Sequence, residues 1–190
     1  MFRSESIAPI IAPAVILSAA NKLWHRFILR VLVPSACLRS RWRVTLLRQA
    51  GVSVGERACV LGNVRLVSNK VSLGRETFIN YDCVLDAAWA TITIEDHASL
   101  APQVMIMTAT HEVGPSGHRS GAQVGLPVTV GRGCWIGARA TLLPGVTVGE
   151  GCLVAAGAVV VSDCDPNGFY AGIPARRIRD RPTEGFSTPG

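Results

Sequence analysis

The most regular feature of the chain, from residue 54 onward, is a six-residue period in which each unit opens with an aliphatic residue. These positions form five groups of three, and all fifteen hold Val, Ile or Leu. They are Val54, Val60, Leu66, Leu73, Ile79, Leu85, Ile94, Leu100, Ile106, Val130, Ile136, Leu142, Val148, Val154 and Val160. A fixed short period is typical of repeat architectures, in which stacked units bury a continuous core. Because three hexads close one three-sided turn, the pattern predicts an all-β solenoid, a parallel β-helix of about five coils.

The fourth residue after each aliphatic position is often small, as a narrow coil requires. Such residues are Ala58, Thr77, Cys83, Ala98, Cys134, Ala140, Cys152 and Ala158. Cys164 follows Val160 at the same spacing. Four of the six cysteines therefore fall in this position, which predicts buried thiols that act as small apolar side chains.

Two insertions interrupt the period, at residues 86–93 and 107–129. Long loops on a regular scaffold often carry function. The sequence thus divides into an N-terminal arm (1–50), a β-helix (51–170) with a protruding loop (107–129), and a C-terminal tail (171–190).

The N-terminal arm is predicted to be partly helical. Apolar residues recur at helical spacing and are Leu17, Ala20, Trp24, Phe27 and Val31. A basic stripe runs beside them and consists of Lys22, Arg26 and Arg30, and Pro34 ends the pattern. We expect helices that cap the open end of the solenoid. The alternative is peripheral contact of residues 1–50 with an anionic membrane surface.

Composition narrows the function class. Of 190 residues, 48% are hydrophobic and 17% are charged, which excludes an intrinsically disordered chain. Residues 1–50 hold eight Lys or Arg and one Glu, a net charge of +7, whereas residues 51–190 hold eleven and twelve, a net charge of −1. Because the main domain is nearly neutral, nucleic acid is not an expected partner. No P-loop, dinucleotide fingerprint or serine-hydrolase elbow is present in the sequence.

Cysteine usage and the apolar run at residues 7–20 bear on localisation. No C-x-x-C pair occurs, and the run of fourteen residues is broken by Pro9 and Pro13, whereas a bilayer span needs about 20. We therefore expect a reducing, cytoplasmic location, with the inner face of the membrane as the place where the basic arm would make contact.

Four motifs together resemble the hexapeptide-repeat acyltransferases, in particular sugar O-acetyltransferases of the galactoside, maltose and nodulation-factor type. They are 108–112 (Thr-Ala-Thr-His-Glu), 133–138 (Gly-Cys-Trp-Ile-Gly-Ala), 143–149 (Leu-Pro-Gly-Val-Thr-Val-Gly) and 171–177 (Ala-Gly-Ile-Pro-Ala-Arg-Arg). The resemblance covers roughly residues 52–181, and the first 50 residues depart from the helical domain of maltose-type members. It implies a left-handed coil, an exception to the usual right-handed crossover, and acetyl-CoA as acyl donor.

His111 is the candidate catalytic residue. Transfer of an acyl group from a thioester to a hydroxyl needs a base, which an imidazole can supply near neutral pH. The surrounding Thr-Ala-Thr-His run resembles the catalytic motif of the family. An alternative joins His97, His111 and His118 in a zinc site like that of the β-helix carbonic anhydrases, but their pattern is not recognisable here, so no metal is expected.

Asn80 corresponds to an active-site asparagine of the sugar acetyltransferases, where an amide would help to hold the developing oxyanion. It fits equally well as a polar residue at a coil corner. Asp82 and Asp86 are candidate ligands of sugar hydroxyls, although solvation at the surface explains both as well.

The resemblance also implies a binding surface for coenzyme A. Trp135 would wall the pantetheine channel, and Ala138 and Ala156 match positions that contact the cofactor through the backbone. Arg176 and Arg179 match tail arginines near the cofactor phosphates. Ser162 stands where a lysine is common in the family, so that phosphate contact is weaker or falls to Arg177.

The sequence therefore predicts a CoA-dependent O-acyltransferase that acetylates a hydroxyl of a sugar or glycan, with the acceptor, including an amino sugar for N-acetylation, left open. The alternatives are a metal-dependent β-helix hydrase and a non-catalytic β-helix scaffold. Because a filled coil has no interior room for reactants, we expect a homotrimer with active sites in the grooves between subunits.

Overall fold

The structure is a computed structural model that describes residues 21–35 and 37–180. Its hexads form three parallel sheets, one for each side of the coil. Sheet 1 contains β1 (Ser53–Val54), β4 (Val71–Leu73), β7 (Ile92–Ile94), β12 (Val128–Val130) and β15 (Thr147–Val148). Sheet 2 contains β2 (Cys59–Val60), β5 (Phe78–Ile79), β8 (Ser99–Leu100), β13 (Trp135–Ile136), β16 (Leu153–Val154), β18 (Gly168–Ala171) and β19 (Arg176–Asp180). Sheet 3 contains β3 (Arg65–Leu66), β6 (Val84–Asp86), β9 (Met105–Met107), β14 (Thr141–Leu142) and β17 (Val159–Val160).

The strand register stacks the aliphatic positions directly on one another. In sheet 1, for example, Leu73 pairs with Ile94, which pairs with Val130, which pairs with Val148. Fourteen of the fifteen positions are buried, and Val54 is partly exposed because its coil ends the stack. The predicted parallel β-helix and its inward residues are confirmed.

The small inward positions are also buried. The exception is Ala58, which is half-buried in the first coil. All six cysteines are free, and those at positions 83, 134, 152 and 164 lie in the core. Burial raises the pKa of the Cys83 thiol to about 11 and that of Cys164 to about 12. The Cys83 and Cys164 thiols are therefore protonated near neutral pH and act as packing groups. The contact with Cys134 instead lowers the pKa of the Cys152 thiol to about 7.

Each coil bends at corners where one residue has a positive φ. Between sheets 1 and 2 this position is held in part by Arg57, Glu76 and His97, with φ of 55°, 55° and 61°. Between sheets 2 and 3 it is held by Asn63, Asp82, Gln103 and Arg139, with φ of 57°, 62°, 63° and 60°. The backbone at these corners therefore adopts the left-handed region in coil after coil. We refer below to the 2–3 corner and the 3–1 corner by the sheets that they join.

The N-terminal segment packs on the first coil. Residues 21–27 are helical and continue into a π-helical segment, Ile28–Leu32, and a short connection leads to α1 (Ser40–Gln49). Ile28, Leu29 and Val33 are buried, and so are Val44 and Leu47 of α1. Among the described members of the apolar stripe predicted for the arm, Trp24, Phe27 and Val31 are exposed, so the segment packs through a different face. Leu17 and Ala20 lie outside the described residues.

Arg43 fills the space between this segment and the coil and is 1% exposed. Its guanidinium donates hydrogen bonds to the carbonyl oxygens of Val33 (2.7 Å), Ser35 (2.7 Å), Leu38 (2.9 Å) and Val60 (2.9 Å). Burial lowers the pKa of this guanidinium, but an arginine stays protonated in proteins. One buried cation therefore satisfies four carbonyl groups where the solenoid begins.

Two further side chains of α1 cover the free edge of the first coil. Ser40 Oγ accepts a hydrogen bond from the Val60 amide (3.1 Å). Arg48 donates to the carbonyl oxygens of Val54 and Gly55, each at 3.0 Å through Nη2. An unpaired strand edge is a template for association with another chain, and these contacts cap it.

The insertion at 107–129 contains an antiparallel hairpin, β10 (Ala109–Val113) and β11 (Ser120–Gly125). It leaves the end of β9 in sheet 3 and returns to β12 in sheet 1, so it protrudes from the 3–1 corner. The shorter insertion, between β6 and β7, lies at the same corner in the preceding coil. At the other end of the molecule, β19 folds back antiparallel to β18.

Candidate functional site

The side chain of His111 lies exposed on β10 and makes one defining contact. Its Nδ1 lies 2.9 Å from the carbonyl oxygen of Gly121 on the facing strand. A carbonyl oxygen can only accept, so Nδ1 must carry the proton in this contact. The neutral imidazole then presents Nε2 as an unprotonated acceptor, which is the form that a general base requires.

The base of this hairpin is fixed by Thr108, which is fully buried. Its Oγ1 donates to the Asp86 carbonyl (2.9 Å) and accepts from the Ala90 amide (3.2 Å), while its own amide donates to the Asp86 carbonyl (3.1 Å). The hairpin is thereby joined to the shorter insertion below it. In the sequence Thr108 stands out only as part of the 108–112 motif, because an anchoring hydroxyl shows no pattern of its own.

Asp86, a candidate sugar ligand, lies at this 3–1 corner. Its Oδ1 accepts a hydrogen bond from the Ala88 amide at 3.2 Å and its carbonyl holds Thr108, so it helps to shape the insertion that supports the hairpin. Ser162 is exposed in the turn that follows β17, and that turn is also at the 3–1 corner.

Four other predicted residues share the 2–3 corner. Asn80 follows β5, and its Oδ1 accepts a hydrogen bond from the Tyr81 amide (2.8 Å). Asp82 is exposed at the positive-φ position of the same turn. Ala138 and Ala156 occupy the corresponding turns of two later coils, and the Gly157 amide donates to the Ala138 carbonyl (2.8 Å). Ala138 is half-buried and Ala156 is exposed.

Trp135 lies next to this corner on the outer face of sheet 2. It is 58% exposed and lies between Ser99 and Leu153 of the neighbouring strands. An indole in this position offers a broad apolar wall and a hydrogen-bond donor to a ligand lying along the sheet.

The tail crosses the end of the 2–3 corner. The Ala175 amide donates to the Val159 carbonyl (2.7 Å), and the Val159 amide donates to the Gly172 carbonyl (3.1 Å). Arg176 follows and is exposed, and its Nη1 donates a hydrogen bond to the Ala175 carbonyl oxygen (2.9 Å). The tail thus places an arginine at the end of the column that contains Asn80, Ala138 and Ala156.

The other two tail arginines differ in what they contact. Arg179 is exposed, and its guanidinium lies 5.3 Å from the centre of the Phe169 ring. Arg177 contacts Asp180, the Tyr170 hydroxyl and the Asp165 carbonyl, and Asp180 raises its pKa further. Its donors are thus engaged within the chain, whereas Ser162 lies at the 3–1 corner.

The three histidines of the zinc alternative are not clustered within the chain. His97 Nδ1 lies 3.1 Å from Glu76 Oε2 at the corner between sheets 1 and 2. His111 lies on β10, and His118 lies in the turn between β10 and β11. Among residues 21–35 and 37–180, no three His, Cys, Asp or Glu side chains come together as metal ligands.

One chain therefore carries two groups of predicted site residues on different sides. Asn80, Asp82, Ala138 and Ala156 line the 2–3 corner, whereas the hairpin with His111 leaves the 3–1 corner. In a three-sided coil, the 3–1 corner is opposite sheet 2, the sheet that displays Trp135.

Comparison with known proteins agrees with this architecture. Residues 127–162 match the family model described as bacterial transferase hexapeptide (six repeats). A putative acetyltransferase of Schizosaccharomyces pombe is 44% identical over 110 residues, which are 57% of this chain and 52% of that protein. The galactoside O-acetyltransferase of Escherichia coli is 32% identical over 139 residues, 73% of this chain and 68% of the enzyme. The match thus spans about half the length of the first relative and about two thirds of the second.

Solved structures extend the similarity over most of the chain. The maltose O-acetyltransferase of Clostridium difficile 630 is 32% identical with a TM-score of 0.76, covering 87% of this chain and 89% of that one. A hexapeptide-repeat acetyltransferase of Vibrio cholerae, solved with acetyl coenzyme A, is 28% identical with a TM-score of 0.74, covering 89% and 90%. The chain therefore belongs to the hexapeptide-repeat family of acetyl-CoA-dependent O-acetyltransferases, whose β-helix is left-handed.

Proposed function

We propose that this protein transfers the acetyl group of acetyl-CoA to a hydroxyl group of a sugar or glycan, with His111 as general base. The observation that carries the proposal is the contact between His111 Nδ1 and the Gly121 carbonyl, because it leaves Nε2 free to take a proton. The named relatives that act on galactosides and maltose support a sugar acceptor.

The reaction is a direct transfer within a ternary complex. Nε2 of His111 removes the proton from the acceptor hydroxyl as its oxygen attacks the thioester carbonyl. The tetrahedral intermediate collapses with cleavage of the C–S bond, and the thiolate of coenzyme A takes the proton from the imidazolium. The Asn80 side-chain amide is a donor for the developing oxyanion.

Coenzyme A lies along the 2–3 corner in this proposal. Trp135 supports its pantetheine arm, and the backbone at Ala138 and Ala156 pairs with its amides. Arg176 and Arg179 bind its phosphates through charge-assisted hydrogen bonds. The small side chains of Ala138 and Ala156 and the position of the tail across the end of this corner favour the assignment.

The working unit is a homotrimer in which the 3–1 corner of one subunit meets the 2–3 corner of the next. The separation of His111 from Asn80 and Trp135 on one chain supports this arrangement. A single outer face encloses no long cofactor, whereas the groove between two packed solenoids does.

The test is release of free thiol from acetyl-CoA in the presence of a panel of mono- and oligosaccharide acceptors. We expect His111→Ala to lower turnover by about 10²–10⁴-fold, the usual contribution of a general base. His118→Ala is the matched control, since His118 is exposed in the turn of the same hairpin, and it should retain activity. Near-normal turnover of His111→Ala would remove His111 from the mechanism.

A further inference from the structure

The helical segment at residues 21–32 has a second apolar face, which is exposed in the described part of the chain. This face, the exposed stripe, consists of Leu23, Trp24, Phe27 and Val31, whose exposed fractions are 66%, 52%, 45% and 54%. The rings of Trp24 and Phe27 stack on each other at 5.8 Å. Ile28 and Leu29, on the opposite side, hold the segment to the coil. A contiguous apolar surface of this kind marks a contact site.

A cleft of about 430 Å³ lies beside the segment and is lined by basic groups. Lys22, His25, Arg26 and Arg30 line it from the helical side together with Leu29. The opposite side is formed by Val67, Ser68, Asn69 and Ala88. None of the three permanent cations has a salt bridge within the described part of the chain. The cleft, here called the basic cleft, combines unpaired positive charge with the side-chain amide of Asn69, which suits a phosphate group, whereas the Ser68 hydroxyl already donates to the Ala87 carbonyl.

The charged side chains of residues 21–50 are all basic. Residues 21–50 contain no Asp or Glu. Six of their Lys and Arg side chains are exposed, namely Lys22, Arg26, Arg30, Arg39, Arg41 and Arg48. A second copy of this chain fits the exposed stripe poorly, because a symmetric contact would bring the same cations of both copies together. An anionic surface is complementary to it.

We propose that the exposed stripe and the basic cleft bind the surface of an anionic phospholipid bilayer. Trp24 and Phe27 insert at the level of the headgroups, where amphipathic rings prefer to lie, and the cleft holds a headgroup phosphate. The proposed contact is peripheral, through one face of the segment. Within the described residues, no helix is long and apolar enough to cross a membrane. This proposal is independent of the acetyl-transfer chemistry.

The test is co-sedimentation of the full chain with vesicles of phosphatidylcholine alone or mixed with phosphatidylglycerol. We expect binding to the mixed vesicles only, weakening as salt is raised. The variant Lys22→Gln, Arg26→Gln, Arg30→Gln should bind about 100-fold more weakly, since each basic residue contributes about 1 kcal/mol near an anionic surface. The control Arg57→Gln, Arg75→Gln, Arg132→Gln removes three exposed charges from sheet corners and should bind normally.

The apolar part is tested by Trp24→Ser with Phe27→Ser, which should also lose vesicle binding. Val113→Ser, at an 84% exposed position on the hairpin, is the control. The Lys22/Arg26/Arg30 variant and the Trp24/Phe27 variant should keep thiol release with a small acceptor, which separates this proposal from the catalytic one. Failure of the unaltered chain to bind mixed vesicles, or equal loss in the charge control, overturns it. A changed oligomeric state of the Trp24/Phe27 variant with unchanged vesicle binding would instead assign the stripe to another copy of the chain.

Discussion

At the scale of single residues, the three arginines of β19 differ in whether an acidic side chain of the same chain binds them. Arg177 is engaged by Asp180, Tyr170 and Asp165, so it holds the tail against β18. Arg176 and Arg179 have no acidic partner among the described residues, and both are exposed. The guanidinium groups of Arg176 and Arg179 are therefore the ones that we expect to bind an anionic ligand.

Replacing Arg176 and Arg179 together with Ala should weaken coenzyme A binding at least tenfold, because each loses a charge-assisted phosphate contact. The turnover at saturating acetyl-CoA should fall less. Isothermal titration calorimetry measures the affinity directly. Arg57→Ala, in the first coil, is the control and should bind coenzyme A normally. Unchanged affinity of the double variant would show that the two arginines are only a solvated tail.

Some residue assignments were accessible from the sequence and others were not. The inward positions could be predicted because burial repeats with the six-residue period of the coil. The roles of Arg43 and Thr108 could not be predicted, because neither role repeats along the sequence. Each depends on contacts between segments that come together only in the folded chain. In the sequence, Arg43 is one basic residue among several in the arm, whereas in the structure it is buried and bonded to four carbonyls.

At the scale of elements, the hairpin matters because it positions His111 away from the coil. Thr108 is a positioning residue in this view, since its hydroxyl joins the hairpin to the shorter insertion. Thr108→Val keeps the shape but leaves the Ala90 amide without its acceptor. We expect turnover to fall about tenfold or more through misplacement of the base, with little change in coenzyme A affinity.

A purely structural role of Thr108 is distinguished by two readouts. Thr108→Ser restores the hydroxyl and should restore turnover, which steady-state kinetics will show. The loss in Thr108→Val should lie in kcat at saturating acetyl-CoA. If Ser and Val at this position behave alike, the hydroxyl does not position the hairpin.

The N-terminal cap gives a stability prediction. Arg43→Met removes the guanidinium and leaves carbonyls of the arm and of Val60 without donors, so we expect a loss of about 2–4 kcal/mol in the free energy of unfolding. Arg41→Met, in the same helix but exposed, should change it by less than about 1 kcal/mol. Urea denaturation at one fixed protein concentration compares the two, because oligomerisation affects apparent stability. Equal effects of the two substitutions would contradict the capping role.

Periodicity of apolar residues predicts the strands correctly but selects the wrong packing face for the N-terminal helical segment. The hexads identified the strands because each strand has one buried face. In the N-terminal arm the same reasoning selects Trp24, Phe27 and Val31, yet the segment packs through Ile28 and Leu29 and leaves the others exposed. Two apolar faces on one helix cannot be ranked without the surface on which it packs. The hairpin was expected only as a loop, because its strands lack alternating apolar residues.

At the scale of the whole molecule, the two groups of site residues on one chain are each incomplete. The hairpin at the 3–1 corner carries His111, the proposed base, and the 2–3 corner carries the surface proposed for the cofactor. Threefold packing of solenoids would bring these corners together in three equivalent grooves. The proposal thus makes catalysis a property of the interface between subunits.

Mixed oligomers test this directly. His111→Ala alone lacks the base in every groove, and Arg176→Ala with Arg179→Ala lacks the phosphate contacts in every groove. If the base and the arginines come from different chains, co-expression of the two variants creates grooves in which both contributions are intact. We therefore expect thiol release well above that of either variant, with light scattering of the active fraction giving the mass of a trimer.

Mixing the separately purified variants without subunit exchange is the control and should restore no activity. A fully active monomer would refute the interface site, and a trimer without recovery would place base and arginines on the same chain, since every groove would then keep one of the two defects.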